Sequence, residues 1–308
     1  MTVVVAEVFK KNNTTSNFLL TVFFVFFMGS CSLKKEASVN TPYLEISDSY
    51  NRKVVLYQAP QHIVSLSPAL TEMVFTLHSG KFLIGRTEFC NFPDSAQQVQ
   101  SVGNFYTLNT DLILNLKPDL ILSGSIVSKT TVELFEKAQI PVICLKEEQN
   151  MEGLFKNLRI LGQILGQEAL AEQLSDSLET VLQSVKVNVS KTQMPKVYYV
   201  VGYGAGGDYT AYGDSHIGDM IRRAGGLNIA ENAQTWKFSR ESLFFENPDI
   251  IFIRQEDLEG FCKTKPYTSL KAVRQNRVYG MESGWVDVLT PRSLEGLLFM
   301  AEKIGFRK

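Results

Sequence analysis

The chain has 308 residues, with 31 basic and 32 acidic side chains and a formal net charge of −1. That balance leaves no basic footprint for nucleic acid. Hydrophobic residues make up 44% of the chain, enough to bury a large core, and the length suffices for two lobes.

Lys10 and Lys11 precede the apolar run Phe18–Met28, which only Thr21 interrupts. A basic flank, a short apolar stretch and a small-residue cleavage site describe a secretory signal peptide. The run is well short of the roughly 20 residues needed to span a bilayer. Met28-Gly29-Ser30-Cys31 resembles a bacterial lipobox, with Met28 in place of the usual Leu. The alternative is an uncleaved anchor with a Cys near its end. The reading expects a signal peptide over 1–30, lipidation at Cys31 and a flexible tether over 31–42. It places the protein in the periplasm, anchored to a membrane by lipid. Cys90, Cys144 and Cys262 remain, and an odd number leaves at least one free thiol. Whether two of them pair stays open. Cys144, inside the apolar run Pro141–Leu145, reads as a buried small hydrophobe.

Residues 43–57 alternate apolar and polar around Asp48–Arg52, which predicts a hairpin. Ile63–Pro68 reads as a strand running into a turn, further strands are expected at Phe82–Gly85, Leu120–Leu122 and Pro141–Leu145, and helices at Thr71–Leu77, Leu112–Leu116 and Val132–Ala138. Such alternation indicates a mostly parallel α/β sheet. Residues 152–190 contain no Pro, and Leu170, Leu174, Leu178, Val181, Leu182 and Val185 form one helical stripe. A helix over Glu168–Ser190 would reach roughly 33 Å and is a candidate rigid connector. After Pro195 the pattern restarts, with strands at Val197–Val201, Ile250–Ile253 and Val278–Met281 and helices at Ile217–Ala224 and Arg292–Ile304.

An internal repeat supports two related lobes. Asn109-Thr-Asp111 through Pro118-Asp119 to Leu122 matches Ser239-Arg-Glu241 through Pro248-Asp249 to Phe252 at the same spacing. Asn109 and Ser239 are good N-caps. Asp111 and Glu241 therefore fall in equivalent first turns, one per lobe. Gly202-Tyr203-Gly204-Ala-Gly206-Gly207 follows a strand and fits the dinucleotide pattern. That fingerprint must open directly into a helix. Here the turn-rich stretch Asp208–Gly213 intervenes, so a flexible loop beside a ligand, or a simple tight connection, is the better reading. No nucleophile elbow or Walker loop is present. Three scattered histidines, His62, His78 and His216, argue against a metal-ion receptor.

His62-Ile-Val-Ser-Leu-Ser-Pro-Ala-Leu-Thr-Glu72, Gly85–Pro93, Val102-Gly-Asn-Phe105 and Leu116–Ile121 together resemble substrate-binding proteins of cobalamin and iron-siderophore ABC importers. Ile217–Ile229, Ser239-Arg-Glu241 and Asn276-Arg-Val-Tyr279 continue the resemblance, which spans about residues 43–305. The likeness is greatest to cobalamin-binding members, through Phe89-Cys90-Asn91-Phe92-Pro93. It implies two α/β lobes with mostly parallel sheets, joined by a single long helix, with a ligand cleft between them. The boundaries would be 43–167, 168–192 and 193–308.

The resemblance further implies a non-enzymatic receptor without a resident cofactor, a monomer that captures cobalamin and passes it to a permease and its ATPase subunits. A ferric siderophore or haem is the alternative ligand. Its cleft positions fall near Phe89, Phe105, Tyr203, Trp236 and Trp285, with Arg292 following the last loop. Aromatic faces suit a broad, mostly apolar macrocycle. Arg292, and with it Arg86, are the cations such a cleft would offer an anionic siderophore. Tyr203, Tyr209 and His216 are candidate axial ligands for haem. Asp111 and Glu241 match the acids that meet arginines of the permease in the family, with Asp111 one methylene shorter than the usual Glu. The rivals are a secreted α/β enzyme, which needs a nucleophile–base pair, and a scaffold that binds only protein.

Overall fold

The computed structural model describes residues 41–104, 106–124, 127–146, 148–187 and 194–305. The signal-peptide and Cys31 readings lie outside the described residues, as does Phe105. Among the described residues no helix is long and apolar enough to cross a membrane.

The alternating stretch at the start pairs as expected: β1 (Leu44–Ser47) and β2 (Lys53–Leu56) are antiparallel, with Leu44 opposite Leu56. Asp48 organises the turn. Its carboxylate accepts the backbone N–H groups of Tyr50 (2.9 Å) and Arg52 (3.0 Å), the N–H of Cys144 (3.2 Å) and the Arg52 guanidinium. Burial alone would raise the Asp48 pKa, but these donors outweigh it and hold the carboxyl below its usual range. A carboxyl depressed on folding stabilises the protein above the ordinary carboxylate range and loses that contribution as pH falls through the folded value. Asp48→Asn should therefore cost about 2 kcal/mol at neutral pH and flatten the acid limb of a melting-temperature profile below about pH 4. An unchanged acid limb in the variant would refute this assignment.

The first sheet has the order β4-β3-β5-β6, entirely parallel: β3 (Ile63–Ser65), β4 (Leu83–Arg86), β5 (Leu120–Ser123) and β6 (Val142–Cys144). Strands β3, β5 and β6 are buried along their whole length, which is why Ile, Val and Leu dominate them, with a buried Ser or Cys at the end of each. Between them lie α1 (Pro68–Thr76), α2 (Thr110–Leu116) and α3 (Lys129–Lys137). Ser67 caps α1, with Pro68 at the first helical position.

The chain then enters α4 (Met151–Leu165), turns at Gly166 in the left-handed region (φ 65°), and continues as α5 (Glu168–Val187). The connector read from the sequence is α5. It does not stand alone, because α4 packs antiparallel along it. Arg159 on α4 pairs with Glu172 (2.9 Å), Asp176 (3.0 Å) and Glu179 (2.8 Å), three acids on successive turns of α5. A Cβ at Gly162 would lie 2.4 Å from that of Ala171, so glycine permits the close approach.

The second sheet has the order β10-β8-β7-β11-β12, with β9 added beside β7. Its strands are β7 (Lys196–Gly202), β8 (Asp208–Thr210), β9 (Leu227–Asn228), β10 (Lys237–Phe238), β11 (Ile250–Arg254) and β12 (Val278–Met281). The pairs β7–β11, β11–β12 and β7–β9 are parallel; β8 and β10 add an antiparallel edge. The glycine-rich segment turns β7 back into β8, with Gly204 and Gly207 at φ 99° and 105°. It opens no helix, so the dinucleotide pattern has no structural counterpart. Helices α6 (His216–Arg223), α7 (Arg240–Glu246), α8 (Leu258–Lys263), α9 (Lys271–Arg274), α10 (Ser283–Val286) and α11 (Ser293–Ile304) complete this half.

The internal repeat is a repeat of structure. Asn109 accepts the N–H of Leu112 and Ser239 that of Ser242, both at 3.0 Å. Helices α2 and α7 each span seven residues and end in a left-handed residue, Lys117 (φ 50°) and Asn247 (φ 44°). The ten residues 111–120 and 241–250 share one burial sequence, position by position. Even the Asp after each Pro has one task. Asp119 accepts the N–H groups of Gln61 (2.8 Å) and His62 (2.9 Å) before β3, and Asp249 accepts that of Lys196 (2.9 Å) opening β7.

One hydrophobic cluster joins the halves. It contains Ile63, Leu120 and Leu122 from the first sheet, Leu158, Leu161, Leu174 and Leu182 from α4 and α5, and Val197, Ile250 and Phe252 from the second sheet.

Candidate functional site

Ligands of open α/β sheets bind outside the carboxyl ends of the parallel strands. In the first lobe the end of β4 leads into loop 87–93, and the Arg86 guanidinium staples it. Arg86 donates to the carbonyls of Ala96 (2.9 Å), Thr87 (3.0 Å) and Gln97 (3.2 Å). Inside the loop Cys90 is 1% exposed and lies 3.1 Å from the Thr87 hydroxyl. Phe89 and Phe92 remain 46% and 39% exposed. The neighbouring loop turns at Gly103 (φ 95°), and the Asn104 side-chain oxygen accepts the N–H groups of Tyr106 and Thr107. Asn104 also donates to Glu88 at 3.2 Å, tying the two loops together. Phe105 lies outside the described residues.

In the second lobe the tip of the β7–β8 hairpin is clamped on both sides. Tyr267, fully buried, accepts the N–H of Gly204 at 2.9 Å and donates to Asp208. Arg240 donates to the Gly204 carbonyl at 2.8 Å and to Asp208 at 2.9 Å. Tyr203 stands edge-on to Phe261 and Tyr267, with centroids 5.2 and 5.7 Å away. Burial pushes its phenol pKa up, with Asp257 and Cys262 adding to the shift. Trp236 is 37% exposed and meets Tyr212 edge-on at 5.2 Å. Trp285 differs. It lies on α10, and its indole packs on Phe299 at 5.6 Å as part of the core margin.

The guanidiniums beside these loops are paired. Arg254 meets Asp287 at 2.8 Å. Arg292 makes a bidentate pair with Glu72 on α1, at 3.0 and 2.5 Å, and its guanidinium carbon lies 3.5 Å from the Phe92 ring centroid. Burial raises the Glu72 pKa, and the opposing pull of Arg292 and Thr290 does not cancel it. With Arg86 spent on carbonyls, each of these three guanidiniums already has a partner. The candidate axial ligands are engaged too. His216 Nε2 lies 2.7 Å from the Val286 carbonyl, and burial lowers its pKa. Tyr209 is 37% exposed and donates to the Gly206 carbonyl at 3.3 Å. Among the described residues no group of three or more His, Cys, Asp or Glu is placed to hold a metal ion. Cys90, Cys144 and Cys262 are free thiols, and Cys144 is 1% exposed.

Asp111 and Glu241 are exposed in the first turns of α2 and α7. No local pattern marks Glu72, Phe92, Arg240 or Arg254 as site residues. Each acquires its place through a partner at least 32 residues away in sequence.

Two α/β lobes, aromatic loops at their strand ends and a helical connector define a two-lobed ligand-binding protein. A family model described as periplasmic binding protein matches residues 63–284. The chain belongs to that family. It is 27% identical over 270 residues to an uncharacterized ABC transporter substrate-binding lipoprotein, YvrC, of Bacillus subtilis, covering 84% of each chain. It is 27% identical over 212 residues to a cobalamin-binding protein of Halobacterium salinarum, covering 66% of this chain and 56% of that one. Among solved structures it shares its fold with the vitamin B12 binding protein BtuF of Vibrio cholerae (TM-score 0.69, 20% identity, 80% of this chain and 97% of that one). It shares it equally with the haem binding protein HutB of Vibrio cholerae (TM-score 0.72, 19% identity, 80% and 99%). The protein is thus a periplasmic binding protein of the ABC type, in a family of transport receptors that work outside the cytoplasm.

Proposed function

We propose that this protein captures a corrinoid outside the cytoplasm and delivers it to the permease of an ABC importer, whose ATPase subunits supply the energy. The observation that carries this reading is the pairing of Arg86, Arg254 and Arg292 beside exposed aromatic faces. A corrin presents a broad apolar face and a rim of neutral amides, which aromatic loops with few free charges suit. A catecholate siderophore carries three negative charges and needs unpaired guanidinium or ammonium groups. The cobalamin-binding relative points the same way. Phe89, Phe105, Tyr203 and Trp236 are the proposed ligand contacts, with Trp285 supporting the wall from behind.

Asp111 and Glu241 are the proposed permease-docking residues. Cys31 is the proposed lipid attachment, with 31–42 as its tether. The lobes are placed at 43–167 and 193–308 with the connector over 168–192, and the receptor is proposed to act as a monomer. Haem is the second reading, favoured by the exposure of Tyr209 beside the glycine-rich loop. Calorimetric titration of the purified protein with cobalamin, a ferric hydroxamate and haemin separates these. Saturable heat with cobalamin alone is expected. Saturation by haemin or the hydroxamate without heat from cobalamin would overturn the corrinoid assignment.

A further inference from the structure

Arg292 stands at the start of α11 in the second lobe, yet its partners belong to the first. Glu72 lies on α1, 220 residues earlier, and is 6% exposed. Both carboxylate oxygens accept from the guanidinium, and Phe92 covers the guanidinium face. Gly284 makes the arrangement possible, since a Cβ there would lie 1.9 Å from Arg292 Nη1. The segment bearing Arg292 is itself fixed. Ser293 Oγ accepts the Thr290 N–H at 3.1 Å and donates to the Val288 carbonyl at 3.0 Å. Nearby, Ala69, Leu70 and Met73 of α1 and Leu289 line a gap of about 10 Å³, room for no more than one water.

We propose that Glu72, Arg292 and Phe92 form a latch that ties the two lobes together at the root of the cleft and holds the aromatic loop 87–93 in its ligand-ready position. Arg292 is then a positioning residue and not a ligand cation. The inference rests on loop 87–93 as a cleft wall, but not on the identity of the ligand. The chemistry favours such a device. An ion pair withdrawn from water is costly to break on one side only, because the remaining charge stays buried, whereas replacing both partners by apolar groups of similar size is tolerated. A surface pair would show neither behaviour. The flat guanidinium also joins three elements at once, carboxylate edge-on and ring face-on, which lysine cannot do.

The test uses ligand-free protein first. Glu72→Gln, Arg292→Lys, Arg292→Met and the double variant Glu72→Met with Arg292→Met are compared by thermal melting and by hydrogen exchange of residues 87–93. Each single change is expected to lower the melting midpoint by about 5 °C or more and to speed exchange in the loop at least tenfold. The double variant recovers most of the midpoint, so the effects do not add. Phe92→Leu leaves the pair in place and speeds exchange only in the loop. Additive losses in the double variant, or unchanged loop exchange in Glu72→Gln, would overturn the latch. In the ligand arm, with cobalamin as the probe, the latch predicts similar affinity losses for Glu72→Gln and Arg292→Met. A ligand-cation role predicts that Glu72→Gln keeps or raises affinity while Arg292→Met loses it. Absence of cobalamin binding to the unaltered protein would count against the corrinoid reading alone, because the ligand-free arm decides the latch without it.

Discussion

Uptake should fall to background in cells carrying Asp111→Ala together with Glu241→Ala, while the purified double variant should bind ligand as tightly as the unaltered protein. The expectation follows from placement. Both acids occupy the first turn of a seven-residue helix whose cap is already filled, by Asn109 in one lobe and Ser239 in the other. Neither carboxylate enters an ion pair among the described residues. Acids favour helix starts for local reasons, worth about 0.3–1 kcal/mol each, and that accounts for either residue singly. It does not account for two exposed acids at matched positions, one on each lobe, with identical burial around them. A matched pair of anions offers two-point docking to a cationic partner, and charge complementarity of this kind governs encounter and register. Each single variant should lose about tenfold in uptake, near 1.4 kcal/mol, and raised salt should weaken docking of the unaltered protein in the same direction. Melting temperature should hardly move in any of them. Unimpaired uptake in the double variant would end the docking assignment.

Features set by local spacing are legible in the sequence. The hairpin around Asp48, the strand Val278–Met281 and the two copies of the cap–acid–Pro-Asp unit all depend on spacing of a few residues. The connector was half visible. The apolar stripe beginning at Leu170 belongs to α5, but α4 before it carries Gly153 and Gly162, which thin a helical pattern and serve packing instead. A Cβ at Gly153 would lie 2.2 Å from the Cβ of Glu148, so glycine there accommodates the segment that leads into the helix. The site was the least legible part. Arg292 was marked by its position after the last loop, but its partners Glu72 and Phe92 are about 200 residues away and follow no local rule. The same holds for Arg240, adjacent to Glu241 in sequence. It reaches back to Asp208 and Gly204 and so connects α7 to the β7–β8 hairpin.

The two tryptophans separate stability from binding. Both fall in stretches that read as loops, and an aromatic in a loop suggests a ligand face. The structure gives them different surroundings. Trp285 is part of α10, packs on Phe299 at 5.6 Å and rises over Gly296, where a Cβ would come within 2.9 Å of its own. Truncating it removes its packing on Phe299 and the core margin, so Trp285→Ala should cost about 3 kcal/mol of stability, or roughly 6–10 °C in melting temperature for a chain of this size. Trp236 is 37% exposed and meets Tyr212 edge-on. Trp236→Ala should change melting temperature by less than 2 °C or so. Large, rigid aromatics of this kind dominate the energy of binding surfaces, at about 2 kcal/mol or more on truncation, which is roughly a thirtyfold loss of affinity. Paired measurements of melting and ligand affinity on the two variants decide the matter. A large affinity loss without destabilisation in Trp285→Ala would move that indole into the ligand face. Undiminished affinity in Trp236→Ala, for whichever ligand saturates the unaltered protein, would remove Trp236 from it and shift the second lobe's contribution onto Tyr203 and the clamped loop around Gly204.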